Sequence, residues 1–486
     1  MNAGLTRRSV LAGGLAGGVS GLIPFPEWLT TAAHAGPPLT RYAANTPQGQ
    51  AMVAKYATGV AKMMQGKTGD PCSWVFQWYT HQVRGDQSKA NVVASLPAPQ
   101  QPLANDMWDT CQAHFGRPLQ YFLPWHRMYV YFLERIVRHA CGDPTFTLPY
   151  WDYMNPGLRA LPAPFRVNPS ALYRPNRDPA VNAGQAIDQG QPPNTINLQC
   201  LNQGAYAGFN NAINQNPHGI VHSLIGNGQG MGSVPWAAND SIFYFHHCNI
   251  DRYWASWNQV HPNPTDPAWG NTSFVFADEK CQRVLVKVKD FAAIGPLGYR
   301  YDKLAAMPGG GLLQSIGDLR LIAVYRPLRA GPPDPGPLRI RLDDGPVVLR
   351  LAPAETVAPL AKTLRTLRSA RTVTLSIKNL RATLPPGTLF HVFVNLPANA
   401  TASQVNSHFA GAISFFDAVM PSREAMADMK MDMDMSGGEG PSFDLDITDL
   451  LKRLGPQETI DVTIRPQGRI ESGAQVSVGG VELRAG

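Results

Sequence analysis

The chain has 486 residues, which is more than one hydrophobic core usually supports, so we expect two domains and accessory segments. Charged residues make up only 16% of the sequence, and 45 Gly and 43 Pro indicate a body rich in loops. The net charge of +7 comes without a basic stripe interleaved with aromatic residues and without zinc-finger or helix-turn-helix spacing. This excludes a nucleic-acid-binding protein, and we interpret the charge as an aid to solubility.

The first 35 residues have the pattern of a removable twin-arginine export signal. Arg7 and Arg8 precede an apolar stretch rich in Gly and Ala, and an A-x-A cleavage site follows at residues 33–35. No later segment is an 18-residue apolar run, so no membrane anchor is predicted. We therefore expect a secreted or periplasmic protein whose mature chain begins near Gly36.

Six cysteines lie in the first 281 residues. In an oxidising compartment they can form up to three disulfides, and sequence spacing does not reveal the pairing. No C-x-x-C pair occurs, which disfavours zinc ribbons and thioredoxin-type chemistry. The cysteines are Cys72, Cys111, Cys141, Cys200, Cys248 and Cys281.

A first group of histidines stands in aromatic surroundings, at His81, His114 and His126. A buried imidazole needs a partner for each ring nitrogen, and a metal ion can be one of them. A single histidine of this kind is more often a hydrogen-bonded core residue, and that alternative stays open for each one taken alone.

A second group is closer in sequence. His218 and His222 are four residues apart, so on a helix that begins at Pro217 their imidazoles lie on one face and reach one ion. His246 or His247 supplies a third imidazole from another helix. One turn beyond His247, a carboxylate at position 251 is placed to orient that ring or a neighbouring side chain.

Two groups of three histidines are hard to obtain by chance, and three imidazoles suit copper. Zinc and di-iron enzymes are a rival class, but their sites are built with carboxylate ligands, and none stands at ligand spacing here. Four further histidines lack partners at such spacing, and we assign them to surface or packing roles. They are His139, His261, His391 and His408.

The last third of the chain has a different pattern. Residues 327–337 read PLRAGPPDPGP, which predicts a linker because Pro lacks the amide donor. Short alternating runs beyond it, at 338–342, 347–351, 372–377, 390–396 and 459–464, predict an all-β sandwich or barrel over residues 338–486. Residues 426–435 alternate Met with Asp and Lys, which indicates a solvated loop or, less often, a soft copper contact.

Several segments resemble a known family. Residues 121–129, YFLPWHRMY, and residues 240–254, DSIFYFHHCNIDRYW, are similar to the two copper-binding signatures of tyrosinases, catechol oxidases and haemocyanins. Residues 299–301, YRY, look like the tyrosine motif that closes the catalytic domain of plant-type polyphenol oxidases, and residues 390–397, 409–411 and 476–483 resemble that family's C-terminal domain.

The resemblance implies a mainly α catalytic domain over residues 36–326, in which an antiparallel four-helix bundle holds a dicopper site. It assigns one copper to His81, His114 and His126, and the other to His218, His222 and His247. His246 then stands beside the second copper without binding it. The family's second and third ligands for the first copper are closer in sequence than His114 and His126. Cys111, near His114, is a candidate for the thioether seen in some relatives or for a disulfide.

The implied activity is oxidation of o-diphenols or o-aminophenols to o-quinones, with two copper ions and dioxygen as co-substrate. Relatives that hydroxylate monophenols hold a water as base between a Glu and an Asn, and the matching positions are Asn214 and Gly219, so we expect little monophenol hydroxylation. Val234 stands where many plant enzymes carry a Phe gate, which favours bulkier substrates, and Phe243 lines the mouth or the core.

Two alternatives stay open, a tyrosinase that also hydroxylates monophenols and a haemocyanin-like dioxygen carrier. The expected partner is a small phenolic molecule, with no nucleic acid and no membrane, and a separate copper-delivery protein is an open possibility. In the family the C-terminal domain often lies over the copper entrance and keeps the enzyme latent.

Overall fold

A computed structural model describes residues 37–112, 119–307, 315–325, 339–354, 370–419 and 440–486. The predicted export signal, His114, the predicted linker at 327–337 and the Met-rich segment at 426–435 lie outside these residues.

The N-terminal two thirds of the chain are mainly helical. The α-helices of this part are α1 (Pro47–Met63), α2 (Trp74–His81), α3 (Lys89–Ala94), α4 (Gln101–Met107), α5 (Phe122–Cys141), α6 (Pro179–Asn182), α7 (Tyr206–Ile213), α8 (Ile220–Ile225), α9 (Val234–Ala237), α10 (Ile242–Trp257) and α11 (Pro267–Asn271).

Helices α5 and α10 form the centre of this part. Every residue of α10 is buried, and so is α5 from Phe122 to Val137, so the charged and polar side chains of both helices lie in the core together with the apolar ones. Helix α1 packs closely on α5 because Gly59 has no side chain. A Cβ atom built there would lie 2.7 Å from Cγ1 of Val137. The copper signatures predicted from sequence therefore lie on the two most enclosed helices.

Local signals explain where the helices begin and end. Thr46 and Ser73 cap α1 and α2 by accepting hydrogen bonds from the amides of Gly49 and Phe76. Helix α5 ends at Gly142, whose φ of 75° is left-handed and suits glycine.

Two small sheets tie distant segments to the helices. Strand β1 (Leu39–Arg41) pairs in parallel with β4 (Tyr299–Tyr301), and β2 (Ser273–Ala277) forms a hairpin with β3 (Arg283–Lys287). A disulfide between Cys72 and Cys281 joins the hairpin turn to the start of α2. Sequence spacing left this pairing open, and it is the single disulfide among the six cysteines, all of which lie in described residues.

The C-terminal part is rich in β-strands, as the alternating runs predicted. The strands are β5 (Arg320–Tyr325), β6 (Ile340–Arg341), β7 (Val347–Arg350), β8 (Ala352–Pro353), β9 (Val373–Lys378), β10 (Arg381–Ala382), β11 (Phe390–Val394), β12 (Phe409–Ile413), β13 (Phe443–Asp446), β14 (Asp461–Pro466), β15 (Val476–Val478) and β16 (Gly480–Ala485). They form antiparallel sheets with the orders β12-β11-β14-β7, β13-β9-β16-β5-β8 and β10-β15-β6. Helices α12 (Ala402–His408) and α13 (Thr448–Leu454) accompany them.

Strand β5 precedes the predicted linker, yet it pairs with β16 and β8 of the C-terminal sheet. The C-terminal sheet therefore includes β5, which lies within the residues 36–326 that were expected to form the catalytic domain. Among the described residues, no helix combines the length and apolar character needed to cross a bilayer.

Candidate metal centre

Five of the six predicted ligands come together in the core. His81 ends α2, His126 lies in the second turn of α5, and His247 lies in α10. His218 and His222 occupy successive turns around the junction with α8. Each of the five is at most 2% exposed. The sixth, His114, lies outside the described residues.

The distances between ring centroids show how tightly the rings are gathered. His126 stacks on His247 at 4.2 Å, His218 and His222 are 4.6 Å apart, and His218 and His247 are 5.1 Å apart. His81 lies 5.9 Å from His126. The two predicted groups thus face each other across the core.

The helix around His218 differs from the expectation. An α-helix was predicted to begin at Pro217, but residues 214–219 form a π-type turn with non-helical backbone at Asn216, and α8 begins at Ile220. Proline inside the turn removes one amide donor, which explains the interruption. The imidazoles of His218 and His222 still meet on one side.

Backbone carbonyls orient three of the rings. The Nδ1 atoms of His126, His218 and His222 donate to the carbonyl oxygens of Phe122 at 2.8 Å, Asn214 at 3.1 Å and Met231 at 2.8 Å. A proton on Nδ1 leaves the lone pair of Nε2 available to a metal ion.

His246 and His247 provide a further test of the fit to a metal ion. Both ring nitrogens of each residue are buried and have no hydrogen-bond partner among the described residues. Burial, and then the neighbouring histidines, lower the pKa of His218, His246 and His247 well below the usual range, so these imidazoles are neutral. Neutral buried imidazoles with unsatisfied nitrogens are suited to bind a metal ion.

The ligand atoms of the second group allow two choices. Those of His218, His222, His246 and His247 all lie within 4.8 Å of one another. His247 also stacks on His126 of the first group, whereas His246 has the ring of Tyr153 as a neighbour at 5.5 Å. His247 is thus the one that faces both groups.

The first group contains a thiol beside its imidazoles. His81, Cys111 and His126 place ligand atoms within 4.8 Å of one another, and Sγ of Cys111 lies 3.4 Å from Nε2 of His126. Cys111 was expected to form a disulfide or a thioether. The disulfide is wrong, because all six cysteines lie in described residues and the only disulfide among them joins Cys72 to Cys281. The thioether to His114 lies outside the described residues.

Two phenylalanines fill the space around the rings. Phe243, one of the predicted lining residues, is fully buried and lies 4.1 Å from His247 and 5.0 Å from His81. Phe122 was not singled out from sequence, yet its ring lies 4.8 Å from His126 and 4.7 Å from His218. Its position one helical turn before His126 was the available signal.

The C-terminal part also reaches the histidines. The ring of Phe416 stacks on His222 with a centroid distance of 4.1 Å and an interplanar angle of 12°. Beside it, the hydroxyl oxygens of Ser414 and Ser223 are 2.7 Å apart. No sequence signal pointed to Phe416, because a stacking contact 194 residues away in the chain leaves no local pattern.

Asp251 was expected to orient His247 or a neighbouring side chain. It binds the neighbouring side chain of Arg127 and not the ring of His247. It accepts hydrogen bonds from Arg127 at 2.5 Å and Arg41 at 3.2 Å, and from the hydroxyls of Tyr299 at 2.7 Å and Tyr301 at 2.5 Å. Burial alone would raise the pKa of Asp251, but the two guanidinium groups hold it below the ordinary value. The carboxylate joins α5, α10, β1 and β4 next to the histidines.

Asn214 and Gly219, two of the predicted substrate-side residues, lie beside His218. Asn214 is buried and its Oδ1 has no hydrogen-bond partner among the described residues. A Cβ atom built on Gly219 would lie 3.4 Å from the carbonyl oxygen of Asn214 and 3.7 Å from Oγ of Ser414. Val234 begins α9, three residues after Met231, and is 8% exposed.

Comparisons with known proteins agree with these features. The model of the common central domain of tyrosinase matches residues 71–200 and 159–260, that of the polyphenol oxidase middle domain matches 263–308, and that of a domain of unknown function matches 336–485.

Individual relatives extend the similarity to most of the chain. A tyrosinase of Hahella sp. is 28% identical over 88% of this chain and 96% of its own length. Polyphenol oxidase II of Ipomoea batatas is 33% identical over 37% of this chain and 38% of its length. The solved structure of latent apple tyrosinase covers 93% of this chain and 98% of its own, with a TM-score of 0.59 and 22% identity, which supports the fold. These similarities support a type 3 copper, tyrosinase-like polyphenol oxidase whose tyrosinase central domain spans residues 71–260.

Proposed function

We propose that this protein is a catechol oxidase that uses two copper ions and dioxygen to oxidise o-diphenols, or o-aminophenols, to o-quinones. The observation that carries the proposal is the meeting of two histidine groups, with His126 of one stacked at 4.2 Å on His247 of the other. Two ions held by these groups would lie close enough to act on one substrate molecule.

In this proposal one copper is held by His81, His114 and His126. The other is held by His218, His222 and His247, with His246 beside it. The helices that carry these ligands, α2, α5, α7 with α8, and α10, would be the predicted antiparallel four-helix bundle.

The bound coppers would supply electron transfer from two o-diphenol molecules, each of which loses two electrons and two protons, to one dioxygen, which is reduced to two water molecules. The chain's own residues prepare the site. Carbonyls of Phe122, Asn214 and Met231 fix the tautomer of three imidazoles. Burial lowers the pKa of His218, His246 and His247, which keeps these rings neutral. The rings of Phe122 and Phe243 exclude water around them.

The proposed substrate preference depends on Asn214, Gly219 and Val234. Deprotonation of a monophenol requires a base, and the amide of Asn214 is not one, while Gly219 has no side chain to hold a water. We therefore propose weak or absent monophenol hydroxylation. Val234 in place of a larger gate would admit bulkier o-diphenols or o-aminophenols.

The contact of Phe416 with His222 supports a shielded site. We infer that residues 338–486, joined through the linker at 327–337 to a catalytic domain at 36–326, cover the entrance and keep the enzyme latent. Further bonds between the two parts join the amide of Asp444 to Oε1 of Gln215 at 3.1 Å and Nε2 of His391 to Oε1 of Gln191 at 2.9 Å.

The proposed location is outside the cytoplasm. The twin-arginine pattern of residues 1–35 predicts export, and the disulfide between Cys72 and Cys281 is typical of an oxidising compartment. The partner would be a small phenol, and a separate protein could deliver the copper.

Copper analysis and a substrate panel test the proposal. Copper-loaded protein should contain two copper ions per chain and consume oxygen with catechol and o-aminophenol but little with tyrosine. His222→Ala and His247→Ala should each lose copper and activity, whereas His261→Ala, at a half-buried position away from the site, is the control. One metal ion or none per chain would contradict the proposal, and reversible oxygen binding without turnover would favour the carrier.

The same analysis tests the choice between adjacent histidines. His246→Ala should retain both coppers. Loss of one copper in that variant, together with full copper in His247→Ala, would reverse the assignment.

A further inference from the structure

Backbone carbonyls from two different segments orient one histidine of each group. Nδ1 of His126 donates to the carbonyl oxygen of Phe122 at 2.8 Å, and Nδ1 of His218 donates to that of Asn214 at 3.1 Å. The centroids of the two rings are 6.1 Å apart. The first carbonyl lies at the start of α5 and the second directly after α7, so the spacing of the two groups depends on what joins these segments.

Asn210 joins the two segments. It lies in α7 and is 1% exposed. Its Oδ1 atom accepts a hydrogen bond from the amide of Leu123 at 3.2 Å, in the same peptide group as the carbonyl that orients His126. Its backbone carbonyl accepts a hydrogen bond from the amide of Asn214, the residue whose own carbonyl orients His218. One residue therefore connects the backbone groups that orient a histidine in each group.

The side chain of Asn210 also serves the first turn of α5. Tyr121, the residue before the helix, does not cap it with its side chain, and Pro124 has no amide hydrogen. The hydrogen bond from Leu123 to Asn210 is buried, so its loss would leave a core amide without this partner. The hydroxyl of Tyr206 donates to the same Oδ1 atom at 3.4 Å and helps to keep that oxygen in place.

The ring of Phe122 lies between the two groups as well, 4.8 Å from His126 and 4.7 Å from His218. Apolar packing of this kind is non-directional, whereas a hydrogen bond weakens steeply when its angle changes. The link through Asn210 is therefore suited to fix the spacing, while Phe122 fills the space between the rings.

We propose that Asn210 is a positioning residue that fixes the separation of the two histidine groups. The consequence for catalysis rests on the proposed function, in which each group holds one copper ion and Asn210 would set the distance between the ions. A misplacement of about 1 Å can lower turnover by about 100-fold when two centres must act on one substrate molecule. Asn210 acts through the backbone at the start of α5 and the end of α7, and not by contact with substrate.

Asn210→Leu tests the proposal, because leucine has nearly the same shape and accepts no hydrogen bond. In the copper-free protein, the amides of residues 122–126 and of residues 214–222 should both exchange with deuterium faster than in the parent, as measured by mass spectrometry. The copper-loaded variant should keep both ions but lose at least about tenfold in catechol turnover. Its copper(II) electron paramagnetic resonance signal should grow several-fold, because two copper(II) ions cancel each other's spin only while they are held close together.

Two further variants complete the experiment. Asn210→Asp keeps an acceptor of the same shape beside the N-terminus of α5, which favours a negative group, and should return all three measurements to within about twofold of the parent. Asn182→Leu is the matched control, since the side chain of Asn182 binds Arg174 and Arg177. Its loss should leave the deuterium exchange of both segments, the turnover and the resonance signal unchanged.

Unchanged deuterium exchange in Asn210→Leu, or faster exchange in only one of the two segments, would overturn the proposal. Full turnover with an unchanged resonance signal in a variant that holds two copper ions would do so too. A parent protein that binds fewer than two copper ions would contradict the proposed function instead, and the exchange measurement would still decide the role of Asn210. Circular dichroism melting checks the fold of each variant. If Asn210→Leu does not fold, Asn210→Ser is measured in the same way, because its hydroxyl is too short to reach the amide of Leu123.

Discussion

At the scale of single residues, Asp251 stands out beside the metal centre because it accepts hydrogen bonds from four buried side chains. Asp251→Asn keeps the shape but removes the charged partner of Arg127 and one of the two charged partners of Arg41, which keeps its pair with Glu134. We expect the free energy of unfolding at pH 7 to fall by about 3–5 kcal/mol, the range found when one member of a buried ion pair is removed. Urea unfolding followed by circular dichroism measures this loss.

The pH dependence of that loss gives a second check. The folded-state pKa of Asp251 is below its ordinary value of 3.8, so its contribution to stability is complete above that value. The contribution of Asp251 disappears as the pH falls through its lower folded-state pKa. The free energies of unfolding of the parent protein and of Asp251→Asn should then become equal. The control is Asp106→Asn, whose partner Arg283 is exposed, and which should cost at most about 1 kcal/mol. A similar loss in both variants would contradict the role given to Asp251.

Gly219 is the residue at which the substrate range can be changed. Its φ of −62° is ordinary helical backbone, and an added Cβ would make normal contacts, so a side chain can start there without backbone strain. Gly219→Asn combined with Asn214→Glu should raise tyrosine hydroxylation several-fold, because the pair could hold a water as base. The ratio of tyrosine to catechol turnover measures the change. Brisk tyrosine hydroxylation by the parent protein would show that our assignment is mistaken.

At the scale of elements, the disulfide connects α2 with the β2–β3 hairpin across a sequence separation of 209 residues. Closing so long a loop restricts the unfolded chain, and native disulfides of this kind contribute about 2–5 kcal/mol. The double variant Cys72→Ser with Cys281→Ser should lose that amount in urea unfolding without reductant. Reductant added to the parent protein should reproduce the loss, whereas Cys141→Ser, at a half-buried thiol, should be nearly neutral. No effect of reductant on the parent would contradict the pairing.

At the scale of the whole molecule, the stacking of Phe416 on His222 joins the two parts of the chain at the metal centre. Phe416→Ala should open a path to the histidines and raise catechol turnover several-fold, and proteolytic cleavage within residues 327–337 should do the same. Initial rates of oxygen uptake, measured per bound copper, test both changes. Phe415→Ala is the matched control, since that ring packs on Phe390 within the C-terminal part. Unchanged turnover in Phe416→Ala and in the cleaved protein would rule out shielding.

Patterns within short segments were sufficient to predict several features. The spacing of His218 and His222 and the position of His126 in an apolar helix indicated a metal centre, and alternating runs such as residues 390–396 predicted a β-rich C-terminal part. The β-rich part is confirmed and the histidines do lie together, because helix and strand periodicity are local properties of the chain; the metal centre itself stays a prediction. The family resemblance also rested on contiguous segments.

Other features depend on residues that are distant in sequence, and only the tertiary structure decided them. They include the pairing of Cys72 with Cys281, the placement of Phe416 on His222, and the addition of β5 to the C-terminal sheet. The partners of Asp251 belong to the same class, since its carboxylate could have turned toward a histidine from the same helical position. Packing selects among such contacts by the shape and charge of the assembled core, and these properties exist only after the chain has folded.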